Sequence, residues 1–142
     1  MTGTPMVKQI SVFLENKPGT LCEMLECIGS KGIDIVALSI ADTTDFGIVR
    51  MVVDDESLEQ AQVTLREAGF VAKTSPIVGA CVANEPGGLA KILGALRDKD
   101  VQVEYAYSMN KAGEAEAVIL MQTSDNETAA QALLEAGVAL AG

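Results

Sequence analysis

Two short segments hold the residue types that point to chemistry: Asn16-Lys17-Pro18-Gly19-Thr20-Leu21 and Asn84-Glu85-Pro86-Gly87-Gly88-Leu89. Each precedes an apolar stripe of helical period, so each loop delivers backbone N–H groups with no intrahelical acceptor, a natural seat for an anion. Proline fixes φ and removes a donor, and glycine without a Cβ lets a ligand approach the first turn. The asparagine ahead of it adds an oxygen for a cation and an NH2 for an anion. The chemistry on offer is the binding of a small molecule bearing both charges.

Composition removes other chemistries. The 142 residues contain no histidine, which excludes a Ser-His-Asp triad, a Cys-His pair and imidazole-ligated zinc. No nucleophile–base pair and no cofactor fingerprint stands in the sequence, so no cofactor and no metal is expected. A net charge of −10 opposes binding to nucleic acid or an anionic membrane, both of which require a basic footprint. No apolar run reaches the roughly 18 residues of a membrane span, and the opening lacks signal-peptide regions, so a cytoplasmic protein is expected. The three cysteines, Cys22, Cys27 and Cys81, are too few for a disulfide scaffold and are expected to be reduced thiols buried in the core.

The two loops belong to an internal repeat. Pro18 and Pro86 stand 68 residues apart, and the same offset relates Leu25 to Leu93, Lys31 to Lys99, Leu65 to Leu133, and Glu67-Ala68-Gly69 to Glu135-Ala136-Gly137. In the first copy, residues 7–14 read as a strand. Leu21, Met24, Leu25 and Ile28 form one helical stripe closed by Gly32. Strands follow at 33–41 and 46–53, then a helix from Leu58 to Ala68, then a strand at 70–74. The second copy repeats this order at 77–83, 89–97, 101–109, 115–122 and 127–136, with a short strand at 138–141. The pattern is βαββαβ twice, an α+β fold of two ferredoxin-like units side by side, over residues 6–74 and 75–142. Thr74-Ser75-Pro76 reads as the link, and about eight strands are expected in one antiparallel sheet with four helices on one face. The acidic runs Asp54-Asp55-Glu56 and Asp125-Asn126-Glu127 precede the second helix of each copy and read as solvated caps complementing its dipole. Tyr105 and Tyr107, two apart in a strand, share one face of the sheet, under the helices or opposite them.

A ferredoxin-like fold alone decides no function. RNA binding needs aromatic and basic residues on the sheet, whereas this chain is 4% aromatic and acidic; soft-metal carriage needs a Cys-x-x-Cys where Asn16-Lys17-Pro18-Gly19 stands. Strand, Asn-x-Pro-Gly-x-Leu and helix, found twice, resemble the ACT domain, an amino-acid-sensing module of metabolic enzymes. The likeness spans nearly the whole chain and is similar to free-standing tandem ACT proteins without a catalytic domain. In the second copy Asp100 stands where the family has glycine. The resemblance implies a regulatory protein that is not an enzyme and that binds a free amino acid at the first strand–helix loop and the domain interface. The ligand-binding set it implies is Asn16, Lys17, Pro18, Gly19, Thr20, Leu21 and Asp34, with Asn84, Pro86, Gly87, Gly88, Leu89 and Gln102 in the second copy. Asp34 and Gln102 enter only through the family, whose ligand faces that position. A homodimer is expected, with a regulated metabolic enzyme as possible partner.

The copies differ: Phe13 aligns with Cys81, and Asp45-Phe46-Gly47 with Gly113-Glu114-Ala115, so they cannot form identical pockets. Two other functions fit the same residues. A non-catalytic protein–protein interaction module would use the fold for dimerisation or partner binding, and Asn16→Ala and Asp34→Ala would leave its partner binding unchanged. A carboxylate-dependent enzyme would carry a carboxyl of raised pKa in a cleft.

Overall fold

Ile10, Val12 and Leu14 alternate with the more exposed Ser11, Phe13 and Glu15, and this period of two builds a strand with one face in a core. In the computed structural model, which describes residues 4–15, 17–42, 46–83, 85–109 and 116–142, that strand is β1 (Val7–Glu15). There follow α1 (Thr20–Ser30), β2 (Ile35–Asp42), β3 (Phe46–Val53), α2 (Leu58–Glu67) and β4 (Val71–Ala83), then α3 (Gly88–Arg97), β5 (Val103–Met109), β6 (Glu116–Thr123) and α4 (Asn126–Glu135). The fold is α+β, with antiparallel ladders and the ferredoxin-like order βαββαβ from β1 to β4. No helix among the described residues is long and apolar enough to cross a membrane.

Two compact units divide the chain: residues 8–75, and residues 76–142 with 1–7. In the first, β3 pairs antiparallel with both β1 and β2, with Val12 opposite Val49 and Ile10 opposite Met51. Met24 and Ile28 of α1 and Ala61 and Leu65 of α2 pack on Ile10, Val12, Val49 and Met51. The expected stripe of α1 is therefore the one that is buried, with Leu21 and Leu25 at its margins. In the second unit β6 pairs antiparallel with β4 and β5, and Ile92 and Leu96 of α3 and Ala129 and Leu133 of α4 cover Val78, Ala80 and Met121.

Several expectations change. Thr74-Ser75-Pro76 is no loop; it lies inside the thirteen-residue β4, which merges the strands expected at 70–74 and 77–83. The short strand at 138–141 is reduced to one bridge, Ala80 to Leu140. Six strands, not about eight, are thus present among the described residues. Ile33 and Val101, read as strand starts, are buried just ahead of β2 and β5. The cysteines are not core thiols: Cys22 is exposed, and Cys27 and Cys81 are half-buried.

Tyr105 and Tyr107 lie opposite Gln122 and Leu120, whereas the core residue Met121 faces Ala106. Strand alternation therefore puts both tyrosines, half-buried, on the face away from the helices.

Candidate functional site

The first strand–helix connection is built by backbone conformation. Gly19 caps α1 at φ 87°, and its counterpart Gly87 caps α3 at φ 84°; this left-handed region is costly for residues with a Cβ. The Thr20 amide donates to the Lys17 carbonyl at 3.3 Å, and the Gly88 amide to the Glu85 carbonyl at 3.2 Å, so both copies make the same turn. Of the amides expected to receive an anion, that of Thr20 is already engaged. The first helical bond runs from the Glu23 amide to the Gly19 carbonyl at 3.0 Å, which leaves Leu21 and Cys22 as N–H groups with no acceptor inside the helix.

Beside this turn lies a cleft of about 350 Å³ in the first unit. Phe13 near the end of β1, Phe46 at the start of β3 and Phe70 just before β4 form its walls, together with Leu14, Thr20 and Val71. Gly69 lies beside Phe70 and Glu15 completes the lining. These are all three phenylalanines of the chain. Phe13 and Phe46 keep 45% and 55% of their surface exposed, an unusual investment of aromatic area unless something covers it. Phe70 is partly buried and also packs on the core of its unit.

Charge stands beside the apolar walls. Lys17 Nζ lies 2.7 Å from Glu15 Oε2, with both side chains mostly in water. The hydrogen bond from Lys17, reinforced by its positive charge, holds the Glu15 carboxyl below the ordinary carboxylate range, and the same bond raises the Lys17 ammonium. So exposed a pair adds little to stability; it supplies a cation and an anion next to the cleft.

Of the expected residues in the first copy, only Thr20 is in the wall of this cleft. Lys17, Pro18 and Gly19 are exposed in the turn, and Leu21 is half-buried against the core. Asn16 and Asn84 lie outside the described residues. Asp34 is exposed and follows the far end of α1, an eleven-residue helix and so about 16 Å from the loop along its axis. In the second copy Pro86, Gly87 and Leu89 are exposed, and Gln102 is exposed with its backbone bonded to Ser124. Gly88 is half-buried, and a Cβ there would meet Val82 Cγ2 at 2.7 Å and the Ala83 carbonyl oxygen at 2.9 Å. The helix start thus closes onto β4 at the position where the first copy carries Thr20.

Sequence reasoning missed Phe13, Phe46, Phe70 and Glu15 as one group. The repeat held a signal: 68 residues on, the phenylalanines become Cys81, Glu114 and Val138, and Glu15 becomes Ala83.

A family model described as an ACT domain pair matches residues 5–140. The structure of protein BT0572 from Bacteroides thetaiotaomicron is similar at a TM-score of 0.85 and 36% identity, covering 95% of this chain and 91% of that one. The regulatory subunit of aspartate kinase from Thermus thermophilus, in its ligand-free form, shares the fold at a TM-score of 0.66 and 16% identity, over 94% and 95% of the two chains. That from Thermus flavus does so at 0.62 and 17%, over 96% and 97%. A search of curated protein sequences returned no match.

Proposed function

The chain belongs to the ACT domain pair family, and from that premise we propose that it is a non-catalytic, cytoplasmic regulatory protein that binds a free amino acid at the β1–α1 loop of its first copy. The reading takes 6–74 and 75–142 as the two ACT domains. One observation carries it: an apolar cleft beside the N-terminal amides of α1, with a Lys17–Glu15 pair at its edge. An amino acid needs donors for its carboxylate, an anion for its ammonium and a surface for its side chain, and these three lie together there. Glu15 also weighs against the carboxylate-enzyme reading, since Lys17 lowers its pKa and a proton donor at neutral pH needs it raised.

Regulation then follows from differential affinity: a ligand favours whichever arrangement of the protein binds it more tightly. The reading includes a homodimer and a regulated metabolic enzyme as partner. Leu38 and Ile40, exposed on β2 at one end of the strand order, support a contact with another chain.

The test is a thermal-shift screen of the twenty amino acids at millimolar concentration, with Asn16→Ala beside the parent. A rise in midpoint with one amino-acid class, diminished in the variant, is expected; at about 100 times Kd a ligand adds roughly 2.7 kcal/mol to the folded state. No rise with any amino acid refutes the proposal and leaves the interaction module.

A further inference from the structure

The internal repeat supplies a control for the cleft, because the same fold is present twice and the cleft's side chains only once. We infer that the chain carries one specific site per protomer, in its first copy, and that its ligand is an amino acid with a large apolar side chain, held between Phe13, Phe46 and Phe70 with its charged end at Glu15, Lys17 and the start of α1. This rests on the amino-acid-binding reading above and adds ligand class and stoichiometry to it.

Three observations carry it. The walls are aromatic and two of the rings are half in water, so a ligand that covers them gains from apolar burial, and an aromatic ligand gains further from edge-to-face contact. Lys17 and Glu15 form a pair of opposite charges 2.7 Å apart, which matches the two charges of an α-amino acid: the ammonium goes to Glu15 and the carboxylate to Lys17 and the Leu21 and Cys22 amides. In the second copy Lys17 is replaced by Glu85, Glu15 by Ala83 and Phe13 by Cys81. There, too, the Gly88 backbone is packed against Val82 and Ala83. That copy lacks both the cation and the aromatic walls.

With Glu15 and Lys17 engaged by the ammonium and carboxylate of the ligand, an acidic or basic side chain would place a further charge among the phenylalanines, where no other charged group lines the cleft. A small side chain would leave the rings uncovered.

Isothermal titration of the full chain with L-phenylalanine and L-leucine, against L-aspartate, L-lysine and glycine, tests this. Expected is one ligand per chain for the apolar pair, with the other three at least about tenfold weaker. Phe13→Ala and Phe46→Ala remove exposed rings without opening the core, and each should weaken binding about tenfold with the thermal midpoint of the free protein unchanged. 3-Phenylpropionate and phenethylamine, each lacking one charge, should bind about tenfold or more below L-phenylalanine; binding equal to it removes the role of Glu15 and Lys17. Tight binding of an acidic, basic or small amino acid instead overturns this inference while leaving the sensor reading intact. Two ligands per chain, or affinity indifferent to both phenylalanine variants, overturns the single site. Failure of all twenty amino acids to bind overturns the sensor reading and this inference together.

Discussion

Gly32 and Asp100, one repeat apart, hold the same left-handed backbone, at φ 72° and 58°. Each ends the first helix of its copy with the same pair of bonds: the amide of Gly32 to the Gly29 carbonyl and that of Asp100 to the Arg97 carbonyl, then Ile33 back to Ile28 and Val101 back to Leu96. Asp100 is the one non-glycine residue with positive φ among the described residues. A β-carbon is strained there, although a short polar side chain tolerates it best. Asp100→Gly is therefore expected to stabilise the protein by roughly 0.5–1 kcal/mol, and Gly32→Ala to destabilise it by about 1–2 kcal/mol. Urea midpoints of the three proteins decide it, and equal midpoints contradict the argument.

Gly88 and Gly94, both in α3, should answer oppositely to alanine. A Cβ at 88 meets the Ala83 carbonyl oxygen at 2.9 Å, a backbone atom with little room to move, while one at 94 meets nothing nearer than Arg97 at 3.9 Å. Gly88→Ala should cost about 1–3 kcal/mol by overpacking, and Gly94→Ala should gain about 0.5–1 kcal/mol through helix propensity. A thermal melt of each variant that shows the same sign for both rejects this.

Asp125 caps α4, accepting the Thr128 hydroxyl at 2.7 Å and the Thr128 amide at 3.1 Å. These bonds, the hydroxyl's first, hold its carboxyl below the ordinary value of 3.8. A lowered folded pKa means that the stabilisation is complete above the unfolded value and is lost as pH falls through the folded one. Asp125→Ala should thus lower the urea midpoint at pH 7, and the gap from the parent should narrow below about pH 4. A gap that stays constant down to pH 2 would show that the charge plays no part.

Cys22 is exposed yet guarded. Its thiol donates to Glu26 Oε1 at 3.0 Å, and that bond together with the negative charge of Glu26 raises its pKa. Since the thiolate is the nucleophile, alkylation by iodoacetamide at pH 8 should be slow for so accessible a cysteine, and Glu26→Gln should accelerate it. Mass spectrometry of the Cys22 peptide over time measures the rate, and an unchanged rate in the variant counts against the guard.

Much of the fold was legible because local physics writes it locally. The apolar spacing of Leu21, Met24, Leu25 and Ile28 suffices to define α1 and its buried side, and Gly32 its end. Matched segments 68 residues apart disclose the duplication without any contact information. The loop at Pro18 and Pro86 was readable for the same reason, since proline and glycine constrain the chain wherever they stand.

Other features depend on partners distant in sequence. Thr74-Ser75-Pro76 has the composition of a linker, yet in the folded chain it lies inside β4, whose β6 ladder runs from Val78 onward. Cys22, small and apolar by type, is on the outer side of α1 because the burial of Met24 and Ile28 sets the helix's rotation.

By itself, then, the sequence determined the repeat, the helices, the family likeness and the turn at Pro18 and Pro86, because each rests on residues close together or on one constant offset. Tertiary structure alone decided that Phe13, Phe46 and Phe70, carried by three different segments, wall one cleft next to Thr20. No local period relates positions 13, 46 and 70; strand pairing brings the end of β1 beside the start of β3, with Glu15 opposite Phe46, and that register is a property of the folded sheet.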